Sequence, residues 1–371
     1  MRDLLALTAE LVDIPSVSRS EQQIADRVEE ELSGVPWLSV ERVGDTVVAR
    51  TDLGRPHRVV VAGHLDTVPP GANFPSVTEG NTCSGVGAVD MKGGIAVMLA
   101  LAVAGEPTEL DLSMVFYACE EIDRADNALR ILSRQRPDLL ACDTAILCEP
   151  TAGGIEAGCQ GTLRAEVVVS GTRAHTARPW MGRNAIHRLG RVIALVEAYE
   201  GRKPTIEGCE YRESLQAVWV EGGVAGNVVP DQARLVVNHR FAPDRSVDEA
   251  SALLVELLSP AVDFGGGDRF TLVDAVGGAL PRLNHPVCRR LAEIVAEPPK
   301  AKLGWTDVAL FAEMGIPALN FGPGDSSLAH SPNEKVSARE LDHAYRVLAC
   351  LAGIPSGLPV PGQNLIGLPS E

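Results

Sequence analysis

Basic residues are in short supply in this chain. Its 371 residues hold 33 lysines and arginines against 49 aspartates and glutamates, a formal net charge of −16. Nucleic acid and anionic membranes both call for a basic face, so neither is expected as a partner. No Cys-x-x-Cys pair occurs among the cysteines at 83, 119, 142, 148, 159, 209, 288 and 350. That scatter fits reduced thiols in a cytoplasmic protein better than a disulfide framework. Long apolar runs are missing too. Gly94–Gly105, bounded by Lys92 and Glu106, falls short of the ~20 residues a membrane helix needs and reads as a buried helix. The start, Met-Arg-Asp with Glu10 soon after, lacks the apolar core of a secretion signal. No Gly-Lys-Ser/Thr follows the glycine-rich stretch at 85–94, and its third G-x-G-x-x-G position is Asp90, a carboxylate where phosphate would sit. Nucleotide binding is therefore not expected.

Single cores stop growing near ~250–300 residues, so the length suits two domains or one large one. Up to about residue 160 the chain alternates short apolar strands with helices. Val59–Ala62, Leu112–Ala118 and Thr144–Cys148 are apolar on both faces, the mark of a largely parallel core sheet in an α/β domain. The pattern then changes. Leu163–Val169 reads as a strand, Asn184–Tyr199 as a helix, and Leu215–Val220 and Ala233–Phe241 as strands. Ser246 with Glu249 forms a capping box opening the next helix, and Phe270–Val273 closes the series. The order β-α-β-β-α-β is the split βαβ, ferredoxin-like arrangement. We therefore expect a discontinuous α/β domain at 1–161 and 274–354, an inserted domain at 162–273, and an extended or disordered proline- and glycine-rich tail at 355–371.

The groups that can do chemistry follow the core strands. His64 and Asp66 come after the first, Glu120 and Glu121 after the second, and Glu149 after the third, with Asp90 in the glycine-rich loop. Ligands of open α/β sheets bind outside the carboxyl ends of the strands, so these side chains converge. So many carboxylates gathered without counter-charge would repel and desolvate one another, and divalent cations resolve the conflict. In extended chain Asp66 faces the same side as His64, so its carboxylate can accept the imidazole N–H and orient the ring. Adjacent Glu120 and Glu121 point different ways: one can hold a cation while the other takes a proton from water. A cation lowers the pKa of water from ~16 to about 7, and a positioned base adds roughly 10²–10⁴-fold. His330, in a polar loop after the Pro317–Phe321 strand, is a further ligand candidate. His175 cannot be placed by local logic.

At these residues the sequence resembles the zinc-dependent aminoacylase/carboxypeptidase-type metallohydrolases, a family that also includes amino-acid deacylases. The motifs are Gly-His-x-Asp at 63–66, Gly-x-Gly-x-x-Asp-Met-Lys-Gly-Gly at 85–94, Glu-Glu at 120–121, Glu-Pro at 149–150, Ala-His at 174–175 and His330, spread over roughly residues 1–353. The resemblance implies a zinc-exopeptidase-like catalytic domain carrying an inserted dimerisation domain, and two Zn²⁺ per subunit, with Co²⁺ or Mn²⁺ as substitutes. It implies that His64, Asp90 and Glu149 hold one ion and that Asp90 bridges to a second held by Glu121 and His330. Asp66 would support His64, Glu120 would be the general base, and a cis peptide bond would follow Asp90. His175 would stabilise the oxyanion in the other subunit of a homodimer. Arg178, Asn227, Arg240 and Gly324 would contact an anionic N-acyl amino acid. Overall similarity favours hydrolysis of N-succinyl-diaminopimelate to succinate and diaminopimelate. Deacetylation of acetylornithine and a carboxypeptidase or dipeptidase activity remain open, because Gly158-Cys159-Gln160-Gly161 lacks the basic residue many relatives have there. A binding protein that keeps the fold without activity is disfavoured, since every expected ligand and Glu120 are present.

Overall fold

The computed structural model describes residues 3–358, so the expected extended tail lies outside the described residues from 359 onward. The described residues form two compact units: 3–157 with 281–300 and 310–358, and 158–280 with 301–309.

In the first unit Arg58–His64 runs parallel to Asp111–Tyr117 on one side and Thr144–Leu147 on the other, and Ala318–Asn320 continues the parallel set. Ser39–Val43 and Thr46–Arg50 add antiparallel strands beyond Asp111–Tyr117. Every residue from Val59 to His64 is buried, as expected of a strand covered on both faces. One cover is the helix Gly93–Ala104, whose residues 93–102 are all buried. Large side chains such as Ile95, Met98 and Leu99 each contribute about 1.5–3 kcal/mol by leaving water. The helix begins so close to the sheet that a Cβ at Gly94 would stand 2.5 Å from the Cys148 carbonyl oxygen. Any larger residue there would push the helix off. The helices Leu4–Val12 and Ala338–Ala352 pack on it in turn, the latter opened by a capping box of Ser337 and Glu340.

Register fixes where the strands stop. His64 lies opposite Tyr117, Ala62 opposite Leu147, and Leu147 opposite Asn320. The segments that leave these strands therefore emerge at one end of the sheet.

The second unit is ferredoxin-like, with four antiparallel strands in the order Ser214–Gly222, Gln232–Phe241, Gly161–Ser170, Arg269–Val276. Strand alternation turns Leu163, Ala165, Val167 and Val169 into one core with Leu189 and Val192 of the helix Ala185–Glu197 and Leu254 and Leu258 of the helix Val247–Leu258. The expected capping box of Ser246 and Glu249 opens the second helix. Arg188 closes the core's end on buried Asp268 through two hydrogen bonds of 2.8 and 2.6 Å.

This unit is larger than the expected 162–273. Cys159 exchanges both main-chain hydrogen bonds with Ala279 at 3.0 Å, and the Gln160 N–H donates to the Lys302 carbonyl at 3.2 Å. Pairing of that range leaves no periodicity to read.

Candidate metal centre

His64 ends its strand with a buried imidazole. Its Nδ1 lies 2.9 Å from the main-chain oxygen of Asp66, and its Nε2 lies 3.1 Å from Asp90 Oδ1. An Nδ1–H donated to that carbonyl leaves Nε2 as the nitrogen turned to the acidic cluster. The expectation that the Asp66 carboxylate is the imidazole's main acceptor needs correcting: it is 3.6 Å from Nδ1. Its oxygens are taken by the main-chain N–H groups of Glu120 and Glu121, each at 3.0 Å, and by the Ser18 hydroxyl at 2.7 Å. The loop after Tyr117 has N–H groups to satisfy, and Asp66 is the buried acceptor beside them. Burial works against its charge, yet the His64 imidazole and these donors hold the Asp66 carboxyl down at about 2.

Asp90 stands between two imidazoles. Oδ1 faces His64 Nε2 at 3.1 Å and Oδ2 faces His330 Nε2 at 3.4 Å. The peptide bond after it, to Met91, is cis. Its N–H and that of Val89 donate to buried Glu334 at 3.1 and 2.9 Å, which fixes the backbone that aims the carboxylate. His330, held at φ +59°, also places Nε2 2.7 Å from Glu121 Oε1. Hydrogen bonds to Asp90 and Glu121 lift its pKa to about 10. Burial opposes the proton on His64, but Asp66 and Asp90 outweigh it and hold that pKa well above the ordinary value.

Three groups of donor atoms lie within 4.8 Å of one another: His64, Asp90 and Glu149; Asp90, Glu121 and His330; and His64, Glu120 and Glu121. Glu149 is buried just beyond the Thr144–Leu147 strand. Metal–ligand bonds of about 2.0–2.2 Å bring the donors of one ion within roughly 4.4 Å, so small adjustments suffice. Imidazole nitrogens and carboxylate oxygens suit zinc, cobalt or manganese. The carboxylates around both imidazoles raise their pKa values, and divalent cations can supply the positive charge such a cluster lacks. The residues fit a metal pair.

The remaining expected residues divide by unit. Gly324, in the first, has φ +87° and directs its Cβ position at Val89, one residue before Asp90. The other four belong to the second unit. Ala174–His175 pairs with Val228–Val229, the Arg178 N–H donates to the His175 carbonyl at 2.8 Å, and the Asn227 carbonyl accepts from Thr176 at 3.0 Å. His175, Arg178 and Asn227 thus share one exposed loop cluster. Arg240 is half-buried on the Gln232–Phe241 strand and has no carboxylate partner among the described residues. Sequence reasoning missed Glu21 and Glu334, whose carboxylates accept backbone N–H groups of the site, and Ser18, whose hydroxyl donates to the Asp66 carboxylate. Nothing local in the sequence marks them.

The chain and its fold are similar to those of known proteins. Residues 60–353 match Peptidase family M20/M25/M40. A candidate succinyl-diaminopimelate desuccinylase of Mycobacterium tuberculosis (strain H37Rv) is 51% identical over 93% of this chain and 97% of its own length. The succinyl-diaminopimelate desuccinylase of Corynebacterium glutamicum is 46% identical over 93% and 95%. Among solved structures the fold resembles the Bacillus subtilis YXEP protein, described as a dinuclear metal-binding peptidase from the M20 family, with a TM-score of 0.70 at 17% identity over 94% of this chain and 96% of that one. With the matched region covering most of the chain and relatives at this identity along nearly its whole length, the chain belongs to peptidase family M20/M25/M40.

Proposed function

We propose that the chain is a dinuclear metal-dependent amide hydrolase converting N-succinyl-diaminopimelate and water to succinate and diaminopimelate. The observation that carries the chemistry is Asp90 between the imidazoles of His64 and His330, with Glu120, Glu121 and Glu149 around them. The substrate is supported by the names of the relatives at 51% and 46% identity. In this reading His64, Asp90 and Glu149 hold one cation and Asp90, Glu121 and His330 the other. Two divalent ions there supply Lewis acidity to the amide carbonyl and to water. Glu120 takes a proton from the attacking water and returns it to the departing amine nitrogen, so an amide and water become a carboxylate and an amine.

Arg240 is suited to a substrate carboxylate: its guanidinium is half-buried without an acid beside it, and its planar fork matches a carboxylate bidentately. Arg178, Asn227 and Gly324 are further proposed substrate contacts. His175 stabilises the developing oxyanion of the second copy in a homodimer. That dimer is supported by the edge strand Ser214–Gly222, where Val218, Trp219 and Val220 are 53%, 61% and 60% exposed. All eight cysteines are free, which supports a cytoplasmic location. No helix among the described residues is long and apolar enough to cross a membrane.

A panel of N-succinyl-diaminopimelate, N-acetylornithine and short peptides, assayed with added zinc, tests the assignment. The succinyl substrate is expected to give the highest kcat/KM by at least tenfold. Preference for either of the others overturns the substrate and leaves the chemistry standing.

A further inference from the structure

Glu21 is a buried carboxylate, 1% exposed, that forms no ion pair among the described residues and lies outside the three donor groups. It stands just ahead of the helix Gln22–Ser33, on the segment after Leu4–Val12. Burying an ionisable group without a cation is costly, so the bonds its oxygens make matter. Oε1 accepts the main-chain N–H of Arg19 at 3.0 Å, the main-chain N–H of Cys119 at 3.0 Å and the Cys119 thiol at 3.4 Å. Cys119 has φ +60°, a left-handed conformation uncommon for a residue with a side chain, and it immediately precedes Glu120.

The rest of the segment holds the same loop. The Ser16 hydroxyl donates to the Leu65 carbonyl at 2.8 Å, and the Ser16 carbonyl accepts from the Thr67 N–H at 2.9 Å. The Ser18 hydroxyl donates to Asp66, the acceptor of the Glu120 and Glu121 N–H groups. Arg19 reaches Asp126, farther along that loop, at 2.5 Å. Residues 16–21 thus tie the end of the His64 strand to the turn that carries Glu120, at both edges of that turn.

We infer that residues 16–21 form a positioning strap for Glu120, with Glu21 as its main positioning residue. The inference rests on the reading of Glu120 as the base. Glu21 contacts no reacting atom in this scheme; it sets the left-handed turn at Cys119 from which the Glu120 side chain departs. A displacement of about 1 Å at a reacting group can cost on the order of 10²-fold in rate, so the effect falls on kcat. Glu21 bonds the Cys119 end of the turn, next to Glu120, so the effect on kcat exceeds that on substrate binding or on cation uptake through Glu121.

The test compares Glu21→Ala, Glu21→Gln and Ser18→Ala in the zinc-loaded full chain, with kcat, KM, metal equivalents and Tm measured for each. Glu21→Ala is expected to lower kcat about 10–100-fold with KM within about threefold and metal content unchanged. Glu21→Gln keeps an oxygen for the same donors and is expected to restore kcat to within about threefold of the parent. Ser18→Ala, a milder change that preserves the fold if Glu21→Ala does not, is expected to lower kcat about threefold or more at constant KM. Unchanged kcat in Glu21→Ala and Ser18→Ala overturns the strap. So does a loss spread evenly over kcat, KM and metal content, which would make Glu21 a general scaffold residue. An inactive parent chain that still takes up metal would instead refute the hydrolase reading.

Discussion

His64 and His239 are both fully buried imidazoles, and their surroundings drive them in opposite directions. Carboxylates on either side of His64 raise its pKa despite burial. At His239 burial dominates: the attraction of Glu213 is opposed by Arg245 and Arg202, and the pKa is pulled down to about 4. Its Nδ1 is buried without a partner, while Nε2 lies 3.4 Å from the Tyr199 hydroxyl. The sign comes from linkage. The unfolded chain binds this proton near 6.5 and the folded chain only near 4, so protonation favours unfolding. Stability is complete above pH ~6.5 and declines as pH falls toward about 4, by at most about 3 kcal/mol. In His239→Leu that decline should shrink by a comparable amount, read as urea midpoints at pH 7 and pH 4.5. An equal decline in parent and variant would show that His239 is not the group responsible.

Among the elements, those apolar on both faces were legible in the sequence. Arg58–His64, Asp111–Tyr117 and Thr144–Leu147 lie within a residue or two of the expected spans, because a strand buried on both sides has no polar alternation to confuse it. The helix Gln22–Ser33 was not read: it is acid-rich, and only Ile24, Ala25, Val28 and Leu32 face inward. The hairpin of Ser39–Val43 and Thr46–Arg50 was missed for a related reason, since its first strand is half-exposed along its length. The edge strand Ser214–Gly222 carries the consequence that can be tested. Three successive exposed apolar residues break the alternation expected of a strand with one face in water, which is the pattern of a surface meant to be covered. Trp219→Glu should convert a dimer into a monomer in sedimentation equilibrium while leaving the melting of the domain cores in place. A parent that already sediments as a monomer at micromolar concentration would remove this strand from any interface.

At the scale of the molecule, His64, Glu121 and Glu149 were legible because each lies at or just beyond the end of a buried strand, and strands in parallel register deliver their C-terminal loops to one end of the sheet. The groups those ligands lean on were not legible. Asp66 turns to the neighbouring loop, Glu21 reaches across 98 positions to Cys119, and Glu334 across 245 to Val89. Such partnerships belong to the folded chain and leave no spacing to find. The segment 301–309 was not read as a neighbour of the second unit for the same reason, since it groups there through pairings remote in sequence. The acid excess of the whole chain has a local counterpart around Asp90, where neighbouring carboxylates raise the pKa of both imidazoles.

The most direct measurement is equilibrium dialysis of chelator-stripped protein against zinc, counting ions retained per chain in the parent and in Glu120→Gln. Two equivalents are expected in both, with turnover of the variant lower by roughly 10²–10⁴-fold, because Glu120 moves the proton and does not hold the ions. Retention of no zinc by the parent, or undiminished turnover by Glu120→Gln, would contradict a metal pair served by this base.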